Sequence, residues 1–364
     1  RRQRQMCIRD RNCMGGEIHM ASKYLISICI TSYKRLKELD RCLNSIDSHY
    51  VDDVEIVVSE DHSPEKENIE KLVKAFSETS PYHVVFNSNE QNLGYDRNLK
   101  KLMTLANGQY IFYLSDDDCL YKGALDKLID FIRQSNAKYS LIYSPFWYGP
   151  VNDSRRKYAS SFAIEKGAAS AGKYVYDSIL FSGLVFRKDS ICKLDAERFK
   201  NLNYFQVYMF LHVMYHYGAY YLDVMTINSV SDGENAYGTV ESSRGGSNKQ
   251  QVNYLADRNS IFSNLEFNKG LFKAIKLFDA DNGTTVFNVF SKEYSLRTFG
   301  GLCRARKQGI STYREYWNRL RELDISYAPV TYLYYFILLV LGADMSHVLV
   351  RMPRYILEKA RGNK

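Results

Sequence analysis

Three consecutive aspartates, Asp116-Asp117-Asp118, follow the apolar run Tyr110-Ile111-Phe112-Tyr113-Leu114 with only Ser115 between them. Adjacent carboxylates repel one another, so a cleft or interior location demands a compensating cation. A divalent ion bound through oxygen, its remaining coordination filled by phosphates and water, is one way to supply it. The competing reading is a solvated turn capping a helix that begins near Lys122, a position that aspartates favour. A second acidic group, Glu60-Asp61-His62-Ser63, closes the run Val54-Glu55-Ile56-Val57-Val58. Its carboxylates suit the ring N–H of a pyrimidine or the hydroxyls of a ribose. Ser63 and Pro64 before Glu65 also have the form of a helix cap and first turn. Asn92-Leu93-Gly94-Tyr95-Asp96-Arg97-Asn98 offers a glycine for a tight turn and, in Arg97, a cation with the reach to meet a phosphate.

Other chemistries find less support. The seven histidines show no ligand spacing; His212 and His216 share a helical face without an HExxH context, among Met209, Val213 and Tyr217, and read as packing. There is no nucleophile elbow and no Walker loop. The seven cysteines, including Cys29 and Cys42 on apolar stripes, lack zinc spacing and read as reduced thiols. The 49 basic and 41 acidic residues are interspersed, so the net charge of +8 favours anionic partners without forming a dense patch for nucleic acid, which is not expected as a partner.

The elements that must position these residues alternate. Tyr24-Leu25-Ile26-Ser27-Ile28-Cys29-Ile30 is an isoleucine-rich strand of the kind buried on both faces. Leu36, Leu39, Leu43 and Ile46 then recur at helical spacing. Strand 54–58, a helix bearing Ile69, Leu72, Val73 and Phe76, strand 82–86, a helix bearing Leu99, Leu102 and Leu105, strand 110–114, a helix bearing Leu125, Leu128, Ile129 and Ile132, and strand 139–143 continue the series. The expected fold is therefore α/β, with a mostly parallel central sheet flanked by helices and a helical C-terminal region. Ligands of such sheets sit at the carboxyl ends of the strands, which gathers residues 31–35, 59–63, 92–98 and 115–118 around one crevice. Residues 149–173, rich in Ser, Ala, Gly, Lys and Arg, read as a mobile loop over it, before a strand at 184–186 and an aromatic helix at 204–217.

The 364 residues, 45% hydrophobic, suffice for one large domain or two smaller ones. Residues 1–19 are basic and precede no apolar stretch, so they read as an extension outside the fold, with Met20 the preferred start and Met14 the second. Residues 20–230 form the expected catalytic domain, 231–250 a polar linker or loop, and 251–364 the helical region. The apolar run 332–341 is shorter than the roughly 20 residues that cross a bilayer. It reads either as a core helix or as a segment in the membrane interface, with Arg351, Arg354, Lys359, Arg361 and Lys364 on anionic lipid.

Taken in order, these segments resemble glycosyltransferase family 2, the nucleotide-diphospho-sugar transferases with a Rossmann-like domain. Ile28-Cys29-Ile30-Thr31-Ser32-Tyr33-Lys34-Arg35 is similar to the family's opening strand and nucleotide loop. Glu60-Asp61-His62-Ser63 resembles its acidic base-binding loop, with Glu60 where an aspartate is usual. Asn92-Leu93-Gly94 with Arg97-Asn98, then Ala106-Asn107-Gly108-Gln109-Tyr110-Ile111, resembles the approach to the metal-binding motif, and Asp116-Asp117-Asp118 occupies that motif. Phe181-Ser182-Gly183-Leu184-Val185-Phe186-Arg187-Lys188 is similar to the acceptor-side strand. Asp195-Ala196-Glu197-Arg198-Phe199 resembles the segment preceding the catalytic acidic pair, where this chain instead reads Asn203-Tyr204-Phe205-Gln206. The Gly-Tyr-Asp and Ser-Asp-Asp-Asp wording is shared with the abequosyltransferase-like branch that builds surface polysaccharide.

The resemblance implies an inverting, metal-dependent transfer from a nucleotide diphosphate sugar to a glycan or lipid-linked oligosaccharide, in the cytoplasm at the inner face of the cell membrane. Asp118 with Asp116 would hold Mn²⁺ or Mg²⁺. Thr31, Tyr33, Arg35, Glu60, Asp61, Arg97, Asp116 and Asp117 would face the nucleotide, with Ser182 and Gly183 on the acceptor side. The base stays open among Asp177, Asp195, Glu197 and Asp232. A sugar-phosphate nucleotidyltransferase is one alternative, although residues 31–35 lack the glycine its phosphate loop needs. A non-catalytic nucleotide-sugar-binding protein is another, given the departure at 203–206.

Overall fold

A computed structural model describes residues 22–149, 152–199, 202–230 and 261–361, the last eleven as backbone only. The expected extension at 1–19, the linker at 231–250 and Asp232 lie outside these residues. The chain divides into two compact units, residues 1–252 and 253–364.

In the first unit, β1 (Tyr24–Ser32), β2 (Val54–Glu60), β3 (His83–Ser88) and β4 (Gly108–Ser115) lie parallel in the order β3-β2-β1-β4. Their side chains alternate between faces, and both faces are covered. Ile26, Ile28 and Ile30 share one core with Leu39 and Leu43 of α1 (Leu36–Asn44), Ile69 and Val73 of α2 (Lys66–Thr79), and Leu125, Leu128, Ile129 and Ile132 of α4 (Ala124–Gln134). On the opposite face, the Tyr113 hydroxyl donates to the Leu99 carbonyl of α3 (Tyr95–Leu105) at 3.3 Å. Each fully buried isoleucine contributes roughly 2 kcal/mol, so this half of the sheet is a rigid base for the loops above it.

The N-terminal edge explains Ala106-Asn107-Gly108. Glu55, fully buried, accepts from Ser27 Oγ and from the Asn107 and Gly108 amides. A Cβ on Gly108 would stand 2.6 Å from the Ser27 nitrogen, so only glycine allows β1 and β4 to meet there.

Beyond β4 the mostly parallel sheet takes in antiparallel strands. β10 (Val185–Arg187) runs antiparallel to both β4 and β6 (Leu141–Tyr143), β11 (Ala219–Tyr221) is parallel to β6, and β9 (Phe162–Ile164) closes the edge antiparallel to β11. The eight-stranded sheet is thus mixed, its parallel character concentrated in the first four strands. The strand expected at 139–143 spans only Leu141–Tyr143; ahead of it Tyr139 stacks on Phe131 and packs tilted against Tyr220, with ring centroids 5.8 and 4.7 Å away. Nor is 149–173 a plain loop: it holds β8 (Asp153–Ser154), the edge strand β9 and α5 (Ala168–Tyr174). Tyr158, Phe162, Tyr174 and Tyr221 pack ring against ring there, an order that its polar composition conceals.

A second, four-stranded sheet was not foreseen. It runs β5 (Asp118–Leu120), β12 (Ile227–Ser229), β7 (Phe146–Tyr148) and β8. Asp118 therefore opens a strand rather than ending a turn, and stands opposite Ser229. The aromatic helix forms as α7 (Phe205–His216), following α6 (Lys188–Ile191).

The second unit is helical: α8 (Ser263–Asn282), α9 (Val286–Lys307), α10 (Ile310–Arg321) and α11 (Pro329–Arg361), the last broken at Gly342, whose φ of 74° is left-handed. The stretch Pro329–Val350 is long and apolar enough to cross a membrane, by length and composition alone. That corrects the shorter reach read from 332–341: Ala343, Met345, Val348 and Leu349 extend the apolar composition past the glycine.

Candidate active site

The loops after the four parallel strands converge. Thr31 of β1 pairs with Ser115 of β4, Ser32 with Glu60, and Glu60 with Ser88. Beyond the strand ends the Asp61 amide donates to the Ser32 carbonyl at 3.0 Å, and the Asn89 amide to the Glu60 carbonyl at 2.9 Å.

The aspartate triplet is drawn into this edge. Asp116 and Asp118 are 4% and 3% exposed. Arg35 Nη1 lies 2.7 Å from Asp116 Oδ1 and 3.1 Å from Asp117 Oδ2, and the Tyr33 amide donates to Asp116 Oδ2 at 3.2 Å. The cation that adjacent carboxylates require is thus partly supplied within the chain, by the loop after β1. Ser182 Oγ donates to Asp118 Oδ2 at 2.5 Å and accepts from the Ser115 amide at 3.0 Å, pinning both ends of the triplet. Burial, then the charge of Asp117, pushes Asp118 up to about 7 against the hydroxyls of Ser182 and Ser229. Burial likewise lifts Asp116 to about 7, opposed chiefly by Arg35.

The Glu60 loop is bonded differently. Glu60 Oε2 accepts from the His62 amide at 2.9 Å and Oε1 from the Ser63 amide at 2.7 Å. Asp61 Oδ1 accepts from Asn89 Nδ2 at 2.9 Å and the Leu93 amide at 2.7 Å, and Oδ2 from the Gly94 amide at 2.9 Å. With about four acceptor sites on a carboxylate, Asp61 keeps one open. The helix after this loop starts at Lys66 with no side-chain cap, so Ser63 and Pro64 do not form the expected cap. Arg97 Nε donates to the Leu93 carbonyl at 2.7 Å, holding the glycine loop. Asp96, which the sequence placed in the Gly94-Tyr95-Asp96 motif without a role, receives the Asn203 and Phe205 amides at 2.8 and 2.9 Å at the start of α7. Burial lifts it to about 7 against those amides and those of Tyr204 and Leu202. It caps the segment that stands in place of an acidic pair; an aspartate so far from the helix it serves gives no local signal.

On the remaining side, Gly183 has a φ of 89° and a Cβ there would meet Ile227 at 3.0 Å, so the turn before β10 needs glycine. Ser182 and Gly183 line a cleft together with Tyr143, Tyr158, Lys157 and Asp177. Asp195 and Glu197 are exposed; Asp195 Oδ1 accepts from the Glu197 amide at 2.9 Å. The His212 and His216 rings are 4.6 Å apart, and burial lowers His212 to about 4. Among the described residues no group of three or more His, Cys, Asp or Glu converges on one point. Asp116 and Asp118 are the carboxylates at this edge that a divalent ion could use, its remaining coordination supplied by phosphate oxygens and water.

Residues 27–190, from β1 through most of α6, match the model of glycosyl transferase family 2. Abequosyltransferase RfbV of Salmonella typhimurium is 34% identical over 103 residues, which cover 28% of this chain and 30% of that protein. GalNAc(5)-diNAcBac-PP-undecaprenol beta-1,3-glucosyltransferase of Campylobacter jejuni is 25% identical over 118 residues, 32% of this chain and 37% of that protein. The chain thus spans well under half the length of these relatives. TarS 1-349 of S. aureus has a TM-score of 0.49 at 15% identity, covering 82% of this chain and 91% of that one. The segment that matches glycosyl transferase family 2, a little under half of the chain, contains the strand ends, the aspartate triplet and the Ser182 turn just described.

Proposed function

We propose that the first unit transfers a sugar, with inversion, from a nucleotide diphosphate donor to a glycan or lipid-linked acceptor in surface polysaccharide synthesis. One observation carries the reading: Arg35 and Tyr33 from the loop after β1 meet Asp116 and Asp117 in a buried cluster at the carboxyl edge, with Ser182 holding Asp118 beside them. Polar groups massed at that edge of a parallel sheet suit a phosphorylated ligand. The named functions of the matched relatives support the class of reaction.

Asp118 and Asp116 would hold Mn²⁺ or Mg²⁺, which when bound neutralises charge on the leaving diphosphate. The other roles belong to the chain itself. Arg35 is placed to exchange its carboxylate partners for a phosphate oxygen, Asp61 keeps one acceptor for a nucleobase N–H, and Thr31 and Arg97 border the same loops. Ser182 keeps Asp118 in position and Gly183 lets the chain turn close beside it. The open face of Pro329–Val350, with Phe336 and Met345 62% and 66% exposed, followed by Arg351 and Arg354, supports a site of action at the anionic inner face of the cell membrane.

The test is thermal denaturation of the full chain with UDP-, GDP-, CDP- and dTDP-hexoses, with and without manganese. A nucleotide sugar that raises the melting temperature only with manganese, and is consumed when a glycoside acceptor is added, is the expected result. No shift with any of them would sink the reading.

A further inference from the structure

An inverting transfer needs a carboxylate on the acceptor side, close to the bond that breaks, and the segment 203–206 brings none. Asp177, on the 3-10 turn Val175–Ser178, faces the cleft beside Ser182. Ser182 is also the residue whose hydroxyl holds Asp118, so one side chain forms a wall common to the cleft and the aspartate triplet. The Asp177 side chain is 5% exposed and ion-paired with Lys157, and the Tyr158 hydroxyl donates to its Oδ2 at 2.9 Å. Lys157 therefore engages one oxygen and Tyr158 the other, each leaving a further lone pair for an incoming hydroxyl. The Tyr143 hydroxyl lies buried beside Asp177, without a hydrogen bond of normal geometry. Tyr158, half-buried against the buried Tyr143 and Tyr221, gives the cleft an aromatic face with a polar tip, the kind of surface on which the C–H face of a pyranose packs while its hydroxyls find partners.

We propose that this cleft is the subsite for the acceptor sugar and that Asp177 is the catalytic base, an inference that rests on the transferase reading above. The acceptor oxygen forms a bond to the anomeric carbon as the bond from that carbon to the phosphate oxygen breaks. The bonding pair leaves with the nucleoside diphosphate, and the acceptor proton passes to an Asp177 oxygen and then to solvent. Lys157 and Tyr158, one on each Asp177 oxygen, are positioning residues. Among the described residues the other candidates do not serve: Asp195 and Glu197 are exposed outside the cleft, and Asp223 is paired with Arg156.

The experiment measures hexose transfer by the full chain from UDP-, GDP-, CDP- and dTDP-hexoses to octyl hexosides. Asp177→Asn should lower kcat by roughly 100- to 10,000-fold, the contribution of a general base, while the donor still raises the melting temperature as in the wild type. Asp177→Ala should regain part of the rate with added formate, a response that a purely structural aspartate does not give and that keeps the test valid if the asparagine variant folds poorly. Asp195→Asn should transfer within threefold of wild type. A wild type that transfers while Asp177→Asn matches its kcat within threefold, or an alanine variant that folds, binds donor and ignores formate, overturns the assignment. A wild type that neither transfers nor binds any of these donors overturns the transferase reading, and Asp177 falls with it.

Discussion

Two acidic loops stand at the same edge of the sheet and use their carboxylates in opposite ways. At Glu60-Asp61 the acceptors are filled by amides: His62, Ser63, Leu93 and Gly94 from the backbone and Asn89 from a side chain. At Asp116-Asp117-Asp118 the partners are mainly a guanidinium and a hydroxyl, from Arg35 and Ser182. Backbone amides cannot leave without breaking the loop, whereas an arginine side chain can exchange one anion for another at little loss. Carboxylates bonded to the main chain thus shape the site, and those bonded to side chains remain available to a ligand.

The largest effect expected from this contrast is at Asp118. Asp118→Asn keeps the shape and removes the charge, and should lower transfer roughly 1,000-fold with a melting temperature near wild type. A comparable loss in Asp61→Asn with full stability would erase the distinction. Next comes pH. Burial raises Asp96 to about 7 from its ordinary 3.8, so the folded state retains a proton that the unfolded chain has released. Its contribution is greatest below pH 4, falls as pH rises between about 4 and 7, and amounts to on the order of 4 kcal/mol over that span. Asp116 and Asp118, also raised to about 7, decline over the same range, so denaturant titrations should show a decline that Asp96→Asn makes shallower without abolishing; an equally steep decline in the variant would remove Asp96 as a contributor. Third, Arg35→Gln should destabilise the free protein by about 3 kcal/mol, because a buried charge pair loses one partner. Manganese should recover more of that loss than it adds to the wild type, and chelation should reverse the gain. Smallest is Asp61→Asn, at about 2 kcal/mol of stability for the amide bonds it disturbs, with kcat of the folded protein changed only a few-fold.

Much of this was legible in the chain. The alternation of apolar runs with helical stripes predicted β1 through β4 and α1 through α4, because strands buried on both faces must be apolar throughout and their covering helices must be apolar on one side. The positions of Tyr33, Arg35, Asp116 and Asp118 near one crevice followed from the rule for strand ends. The second sheet did not. Its strands have two or three residues each, too short for any period to show, and they pair only once segments as distant in the chain as 118–120 and 227–229 lie side by side. The antiparallel strand β10 was equally hidden, since direction is a property of pairing and not of composition.

Sequence alone determined the alternating architecture, the acidic strand ends and the missing acidic pair at 203–206, since each depends on residue types within one short segment. Tertiary structure decided which carboxylate meets which partner: Asp116 with Arg35 across 81 residues, Asp118 with Ser182 across 64, and Asp96 with Phe205 across 109. Whether an aspartate becomes a cap, a clasp or a ligand depends on the donor brought to its oxygens, and that donor arrives only when distant segments pack.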